Sequence, residues 1–425
     1  RGSRREGEQK RGRAAGFRPR GEHLEEKILL SIDLGNSTMT NPNIATAPYG
    51  IDAAAATNNQ GAGWSVSDVG DVNGDGYDDF VIGGPSVTLQ NNRLVLGNGG
   101  GTNVYLVYGS RIAASSNQIT NWLTLNTLTN GSTGNFRVSD LSQLGSGTQT
   151  NPINSQQGLP FAGLTFTTNN ANAQLGASVA AVPGGINGRA AFIIGAPNAG
   201  SSTDTSNNTT TGFGRAYLVY ASTLYNTSNV ATTINLDAPP SGFNVVTFTT
   251  SVAGSRLGSS VSGLNGFFGT GVGSVVLGAP TASVAGQGGL GATYVISGTS
   301  ISGSTSTIVA STLGQSGGPA GVLFAGGTAG SQAGTSVAQA GNVDGDSFND
   351  LLIGAPGTPA AFLIYGRSNF SSFLTSATSG GVTTSYFSLG QLQSSSSTAG
   401  AAFTGSGDQA GFSVSTAGDF NADGL

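Results

Sequence analysis

Five copies of one short motif constrain the fold of this chain more than any other feature. Each copy is a run of small residues that ends in Ser-Val, and the copies occupy residues 61–66, 174–179, 256–261, 332–337 and 409–414. Their final valines are separated by 113, 82, 76 and 77 residues. A repeated unit of this kind cannot bury both of its apolar faces alone, so neighbouring units must stack.

Two further elements follow the motif in the first four copies. An apolar strand ends in Gly-Ala-Pro or Gly-Gly-Pro, at 80–85, 192–197, 275–280 and 351–356. A third apolar strand follows, at 104–108, 216–220, 293–296 and 361–365. Weaker strand candidates lie between the repeats, at 122–128, 232–236 and 305–309. Three strong strands and one weak strand per unit predict an all-β protein, a β-propeller of four-stranded blades. A plain sandwich or a solenoid is the competing fold.

The loop after each Ser-Val strand carries the clearest chemical signal. In the first repeat, oxygen-bearing side chains stand at loop positions 1, 3, 5 and 9, and position 7 offers its backbone carbonyl. These residues are Asp71, Asn73, Asp75, Tyr77 and Asp79. Calcium takes six to eight oxygen ligands, and this spacing wraps a short loop around one ion. Three carboxylates held so close together would repel one another without a cation. We expect Asp78 to be a surface group.

Two other repeats keep this pattern. The fourth has a serine where the turn favours glycine, and its candidate ligands are Asn342, Asp344, Asp346, Phe348 and Asp350. The fifth supplies Asp419, Asn421 and Asp423 before the sequence stops. The second and third loops have no carboxylates at these positions, so we expect them not to bind calcium. Asp-Gly and Asn-Gly also make hairpin turns, but recurrence at one offset in three repeats favours Ca²⁺.

The composition of the body excludes most enzyme chemistry. Residues 28–425 contain seven Arg and sixteen Asp, and they contain no His, Lys, Glu or Cys. Nucleophile systems that need His, Cys or Lys, and zinc sites built on His or Cys, therefore cannot be assembled there. A glycosidase with paired Asp is the remaining possibility. Most of these Asp lie in the loops above or, like Asp237, stand alone in the sequence, so we expect no catalysis.

The charges divide the chain into unequal parts. Residues 1–27 hold nine of the sixteen Lys and Arg, all five Glu and the only His. We expect 1–27 to be a charged disordered leader, with a basic binding arm as the alternative, and 28–60 to lead into the repeats. We expect residues 61–425 to form the propeller, truncated at its C-terminus. The body is acidic, which disfavours nucleic acid as a partner. No stretch approaches the ~20 apolar residues of a membrane helix.

The order Gly-x-Ser-Val, acidic loop, apolar triplet, Gly-Ala-Pro and Tyr-Leu-Val-Tyr resembles the FG-GAP repeat of integrin α-subunits and their bacterial relatives. One departure is that the namesake Phe-Gly pair is Leu-Gly or Ala-Gly in several copies. The resemblance implies a seven-bladed propeller when complete, of which four repeats and the start of a fifth are present. It also implies that ligands bind on the face opposite the calcium loops.

Three functions agree with this resemblance. The first is an extracellular or cell-surface module for adhesion or ligand interaction, with a protein or glycan partner. The second is an accessory propeller of a larger secreted hydrolase or phospholipase whose catalytic domain lies outside this chain. The third is a structural component of a matrix or surface layer.

Overall fold

The computed structural model describes ten stretches of the chain: 61–74, 76–90, 93–97, 102–108, 163–200, 212–221, 233–269, 271, 273–394 and 397–418. The leader at 1–27 and the segment at 28–60 lie outside these residues, as does the strand candidate at 122–128.

Four sheets follow one another along the described part of the chain, and each contains a blade of four antiparallel strands in sequence order. The first blade consists of β1 (Ser65–Gly70), β2 (Asp79–Gly84), β5 (Asn103–Val107) and β6 (Gly163–Thr167), with a hairpin of β3 (Val87–Gln90) and β4 (Arg93–Leu96) inserted after β2. The second consists of β7 (Ser178–Ala181), β8 (Ala191–Ala196), β9 (Arg215–Tyr220) and β11 (Val245–Thr249). The third consists of β12 (Ser260–Leu264), β13 (Ser274–Ala279), β14 (Ala292–Ser297) and β16 (Gly321–Ala325). The fourth consists of β17 (Ser336–Gly341), β18 (Asp350–Ala355), β19 (Ala360–Ile364) and β22 (Gly400–Thr404).

The predicted all-β propeller of four-stranded blades is confirmed by this arrangement. Helical structure in the described part includes four short 3₁₀ turns, at Gly298–Ser300, Ala310–Thr312, Ser371–Phe373 and Leu389–Gln393. Residues 405–418, at the start of the fifth repeat, contain no strand. Closure by seven blades stays a prediction.

The identity of the fourth strand was predicted wrongly. The weak candidates at 232–236 and 305–309 are β10 (Thr233–Asn235) and β15 (Ser306–Val309), and neither completes its own blade. The fourth strands are β6, β11, β16 and β22, which lie shortly before the next Ser-Val motif. Each contains a phenylalanine, at Phe166, Phe248, Phe324 and Phe403, and this recurrence is the signal that would have located them.

The weak strands instead cover the edge of the preceding blade. β10 lies parallel to β6, the outer strand of the first blade, and β15 lies parallel to β11 in the second. β21 (Val382–Ser388), paired with β20 (Thr375–Ser379), lies parallel to β16 in the third. The connection between the third and fourth strands of one blade thus pairs with the outer edge of the blade before it. Because an unpaired strand edge invites aggregation, this pairing protects the edge.

The apolar triplets pack between blades, as the sequence predicts. Neighbouring side chains of a strand point to opposite faces, so each triplet serves two interfaces. In β8, Phe192 and Ile194 face the first blade, while Ile193 faces the third. The third and fourth blades enclose another cluster, which contains Phe324, Leu351 and Ile353. Burial on both faces explains why these strands are continuously apolar.

The small residues of the repeat bring neighbouring blades close together. The serine of each Ser-Val motif donates to the glycine carbonyl of the next motif, as Ser65 Oγ does to Gly176 at 2.7 Å and Ser260 Oγ to Gly334 at 2.8 Å. The same bond joins Ser178 to Gly258 and Ser336 to Gly411. One hydrogen bond of this type therefore links each described blade to the next repeat.

Candidate metal centre

The two complete acidic loops occupy equivalent places in the first and fourth blades. One connects β1 to β2 and the other connects β17 to β18. In both, the strand pairing shifts register just before the loop, at Gly70 and at Gly341, whose φ angles are 67° and 80°. Such a bulge with a left-handed glycine turns the chain and re-aims the residues after it. The matching hairpins of the second and third blades show no register shift.

The first loop is organised by its two terminal carboxylates. Asp79, which is 1% exposed, accepts the backbone N–H of Val72 at 2.9 Å and that of Asn73 at 3.3 Å. Asp71 accepts the N–H groups of Gly74 at 2.5 Å and Gly76 at 2.8 Å. Hydrogen bonds from the loop's own backbone therefore hold the carboxylates at positions 1 and 9. Asp78 is exposed, as expected. Asp75 lies outside the described residues.

The fourth loop repeats this organisation. Asp350 is fully buried and accepts the N–H of Val343 at 2.7 Å and that of Gly366 at 2.8 Å. Asn342 Oδ1 accepts from Gly345 at 2.9 Å and from Asp346 at 3.1 Å.

Asp344 and Asp346 lie on the exposed side of this loop. Asp346 Oδ1 also accepts the N–H of Phe348 at 2.8 Å. Partial desolvation, and next the charge of Asp346, raise the pKa of the Asp344 carboxyl. Burial raises the pKa of Asp350, its two backbone hydrogen bonds oppose this change, and the charges of Asp344 and Asp346 add to it. The loop therefore concentrates negative charge that a cation would neutralise.

The donor chemistry of the fourth loop fits a hard cation, but the structure does not gather a complete ligand set. Carboxylate, amide and carbonyl oxygens are the ligands that calcium takes. Among the residues that the structure describes, however, no three carboxylate, His or Cys side chains lie close enough to hold one metal ion. Asp350 has its oxygens turned toward the backbone amides of Val343 and Gly366. Asp344 and Asp346, assisted by Asn342 and the Phe348 carbonyl, are the groups that would hold the ion.

Position 6 adopts the same backbone conformation in both loops. Gly76 has φ 91° and Ser347 has φ 79°. This left-handed region favours glycine and strains a residue with a Cβ. The expected sharp turn is therefore present in the fourth loop, where a serine adopts it.

The second and third loops are hydrophobic where the other two are acidic. Ile186 is fully buried and pairs with Arg189 across a tight turn. In the third loop Phe267 is fully buried and stacks on Phe370, with ring centroids 5.3 Å apart. Phe268 packs edge-on against both rings. Side chains thus fill these two loops. Of the fifth loop, Asp419, Asn421 and Asp423 lie outside the described residues.

Asp237 is not the isolated residue that its place in the sequence indicated. Its carboxylate forms an ion pair with Arg215 at 2.9 Å and accepts the Tyr217 hydroxyl at 2.8 Å. It also accepts the backbone N–H of Asn169 at 2.9 Å. This cluster joins β9 to the connections that follow β6 and β10, which is a structural role. The spacing of residues in the sequence does not reveal this cluster, because the partners of Asp237 are up to 68 residues away from it.

None of the helices in the described part is long and apolar enough to cross a membrane.

A family comparison matches residues 333–369 to the FG-GAP repeat. The matched stretch contains β17, the acidic loop, β18 and β19, so it covers three strands of the fourth blade. No curated protein matches the chain significantly. The first three blades repeat the order of strands found in the matched blade. The fourth blade therefore contains an FG-GAP repeat, and this repeat together with the four blades fits an FG-GAP β-propeller.

Proposed function

We propose that this propeller is a calcium-stabilised ligand-interaction module of the extracellular space or cell surface, similar in role to the propeller of integrin α-subunits. Calcium would occupy the acidic loops of the first, fourth and fifth repeats, and protein or glycan ligands would bind elsewhere on the propeller. We also propose that the body has no catalytic activity, since it lacks His, Lys, Glu and Cys.

One observation carries the calcium proposal. The loops with carboxylates are the loops preceded by a glycine bulge, while hydrophobic side chains fill the other two. In the fourth loop desolvation, and next the charge of Asp346, raise the pKa of Asp344, although backbone amides satisfy the neighbouring oxygens. A bulge that re-aims residues and a pair of mutually repelling carboxylates are both features that a bound cation would explain.

Thermal unfolding with and without calcium tests the proposal. Loops of extracellular modules bind calcium with a Kd on the order of 10⁻⁴–10⁻³ M. A hundredfold excess over Kd stabilises the folded state by about 2.7 kcal/mol per site. We expect calcium to raise the Tm of chelator-treated protein, and the combined substitutions Asp344→Asn and Asp346→Asn to reduce this increase. Removal of the repelling charges leaves the calcium-free protein at least as stable.

Asp408→Asn is the matched control, because Asp408 is exposed and caps only the N–H of Ala410 at 3.1 Å. Its calcium-dependent increase in Tm should equal that of the wild type. An equal increase in the double variant, or no increase in the wild type, would contradict the assignment of calcium to the fourth loop.

The strained turn supplies a second test of the same loop. Ser347→Gly should raise the calcium-free stability by about 1 kcal/mol, because glycine adopts the left-handed conformation without strain. Gly76→Ala should lower stability by a similar amount at the equivalent position, where a Cβ would meet no atom within 4 Å. Urea unfolding of both variants measures these opposite changes. A shift of the same sign in both would contradict a common turn geometry.

A further inference from the structure

A cavity of about 220 Å³ lies where three repeat units meet. The second blade contributes Ser251, just after β11, and the third repeat contributes Ser311, just after β15. The third blade contributes the turn at 283–286 and Tyr294 of β14. The hairpin of β20 and β21, which comes from the fourth repeat, closes the remaining side with Thr384.

The cavity is on the opposite side of the propeller from the acidic loops. Those loops connect the first strand of a blade to the second. The turn at 283–286 connects the second strand to the third, and Ser251 begins the connection from a fourth strand to the next blade. In an antiparallel blade these connections lie at the other end of the strands.

Several polar groups of the cavity have no partner within the protein. Tyr294 is 2% exposed, and its hydroxyl makes no hydrogen bond to any described residue. Burial alone raises the pKa of this phenol, so the group stays a neutral donor and acceptor. Gln315 donates to Ser311 O and to Thr384 Oγ1, which fixes its amide plane and leaves Oε1 free to accept. Tyr294 lines the cavity, so its hydroxyl is open to a molecule bound there and can donate to it or accept from it.

The lining combines hydroxyl groups with apolar surface and has no charge. Of its thirteen residues, none is acidic or basic in the described part of the chain. Ser283, Ser379 and Thr384 supply hydroxyls, while Leu323 and Val382 supply apolar surface. A charged ligand would lose its hydration here without gaining a counter-charge. A sugar ring has a rim of hydroxyls and apolar C–H faces, which match this mixed lining.

The size of the cavity limits the ligand to one ring. Its volume equals that of about seven waters at about 30 Å³ each, and it is below the roughly 300–1,000 Å³ of sites for drug-sized ligands.

One wall of the cavity is a tight turn. Ala285 has φ 50° and Gly286 has φ 79°, and Gly286 lies against Ser379 of the hairpin. Positive φ at both residues is what the two-residue turn between Val284 and Gln287 requires.

We propose that this cavity binds a single neutral sugar residue, with the Tyr294 hydroxyl and the Gln315 amide as its central hydrogen-bonding groups. The inference rests on the proposed ligand-interaction function and specifies the ligand class and the site.

Titration of the whole chain with monosaccharides, followed by NMR, tests the proposal. The probes are glucose, galactose, mannose and N-acetylglucosamine, with glucuronic acid as the charged comparison and a neutral Ser/Thr-rich peptide as the alternative class. We expect at least one neutral sugar to bind with a Kd of about millimolar, and glucuronic acid to bind more weakly. Tyr294→Phe, which keeps the ring in the core, should weaken binding about tenfold.

Two variants of the same strand provide the controls. Ser379→Tyr places a ring at the exposed mouth of the cavity and should abolish binding, and its Tm is measured to establish that the variant is folded. Ser376→Ala removes an exposed hydroxyl that contacts Ser385 and does not line the cavity, so binding should stay at the wild-type level.

Three outcomes would overturn the inference: no neutral sugar binds, Tyr294→Phe binds as well as the wild type, or the peptide binds and Ser379→Tyr prevents this. Each titration is repeated with calcium and with chelator. If the protein binds a sugar but calcium does not stabilise it, only the calcium part of the proposed function is contradicted. Stabilisation by calcium without sugar binding would overturn only the sugar site.

Discussion

At the scale of single residues, a serine and a glycine of the repeat contact each other across each described blade interface. Ser260 donates to the carbonyl of Gly334. Gly278 is the glycine of the Gly-Ala-Pro ending in the third repeat. A Cβ added to it would collide with the same carbonyl oxygen of Gly334. The equivalent collision is present at Gly83, Gly195 and Gly354. The Gly of Gly-Ala-Pro is therefore required by the approach of the next blade.

Gly278→Ala should destabilise the protein by about 2–3 kcal/mol, because the added methyl group forces two backbones apart. Urea unfolding measures the change in the free energy of unfolding. Gly288→Ala is the matched control, since its Cβ would meet only Ser283 Oγ, at 3.9 Å. The control should lie within about 0.5 kcal/mol of the wild type. Equal effects at the two positions would contradict the role of Gly278 in blade contact.

At the scale of elements, the parallel strands that cover the blade edges explain why the inter-repeat segments contain weak strand patterns. β10 and β15 pair on one side only, so they need few apolar residues, whereas β21 also pairs with β20. Phe387 of β21 is an exception that fixes the strand to the third blade. It is fully buried, and its ring centroid lies 5.4 Å from that of Phe324.

Phe387→Ala should destabilise the protein by about 3–5 kcal/mol, because it leaves a cavity between β21 and β16. It should also accelerate amide exchange in β20 and β21, which hydrogen exchange with mass spectrometry would detect. Val382→Ala, at the other end of β21, is the control, since Val382 is 48% exposed. If exchange in the hairpin stays at the wild-type rate in Phe387→Ala, the packing on Phe324 does not hold the strand.

At the scale of the whole molecule, apolar packing between blades takes the place of disulfides, because the chain contains no Cys. Three clusters fill the interfaces between the four blades. They include three large tyrosines that are almost completely buried, Tyr217, Tyr220 and Tyr294. Burial is the main cause that raises the pKa of each phenol, to about 12 for Tyr220 and higher for the other two.

These tyrosines predict alkaline unfolding. A phenol with a raised folded-state pKa contributes stability that is fully present below the ordinary value of 10.0. The unfolded chain binds fewer protons above that pH, so stability falls as the pH rises from 10 toward 12, by up to about 1.4 kcal/mol per unit for each tyrosine.

Urea unfolding at several pH values, with tyrosinate absorbance recorded in parallel, measures this loss. Tyr294→Phe removes one titrating group without the loss of a hydrogen bond, so its stability should fall less steeply. A slope equal to that of the wild type would show that Tyr294 ionises in the folded protein.

The repeated unit, its first three strands, the all-β class and the positions of the acidic and non-acidic loops can be read from the sequence alone. Each strand and loop depends on residue types within about twenty positions, and the repeat shows itself because this local pattern recurs. The interior strands are recognisable because both of their faces are buried, which makes them continuously apolar.

Which strand completes each blade and which covers its neighbour follows from pairing in three dimensions. Both kinds of strand are short, and their partners are far away in the chain, so the residues of one strand indicate a strand without indicating its partner. Gln174, Arg256 and Gln332 share a left-handed conformation, with φ of 57°, 58° and 57°, which their residue types do not predict. The cavity around Tyr294 arises where segments from three repeats converge, and for that reason the spacing of residues in one repeat could not reveal it.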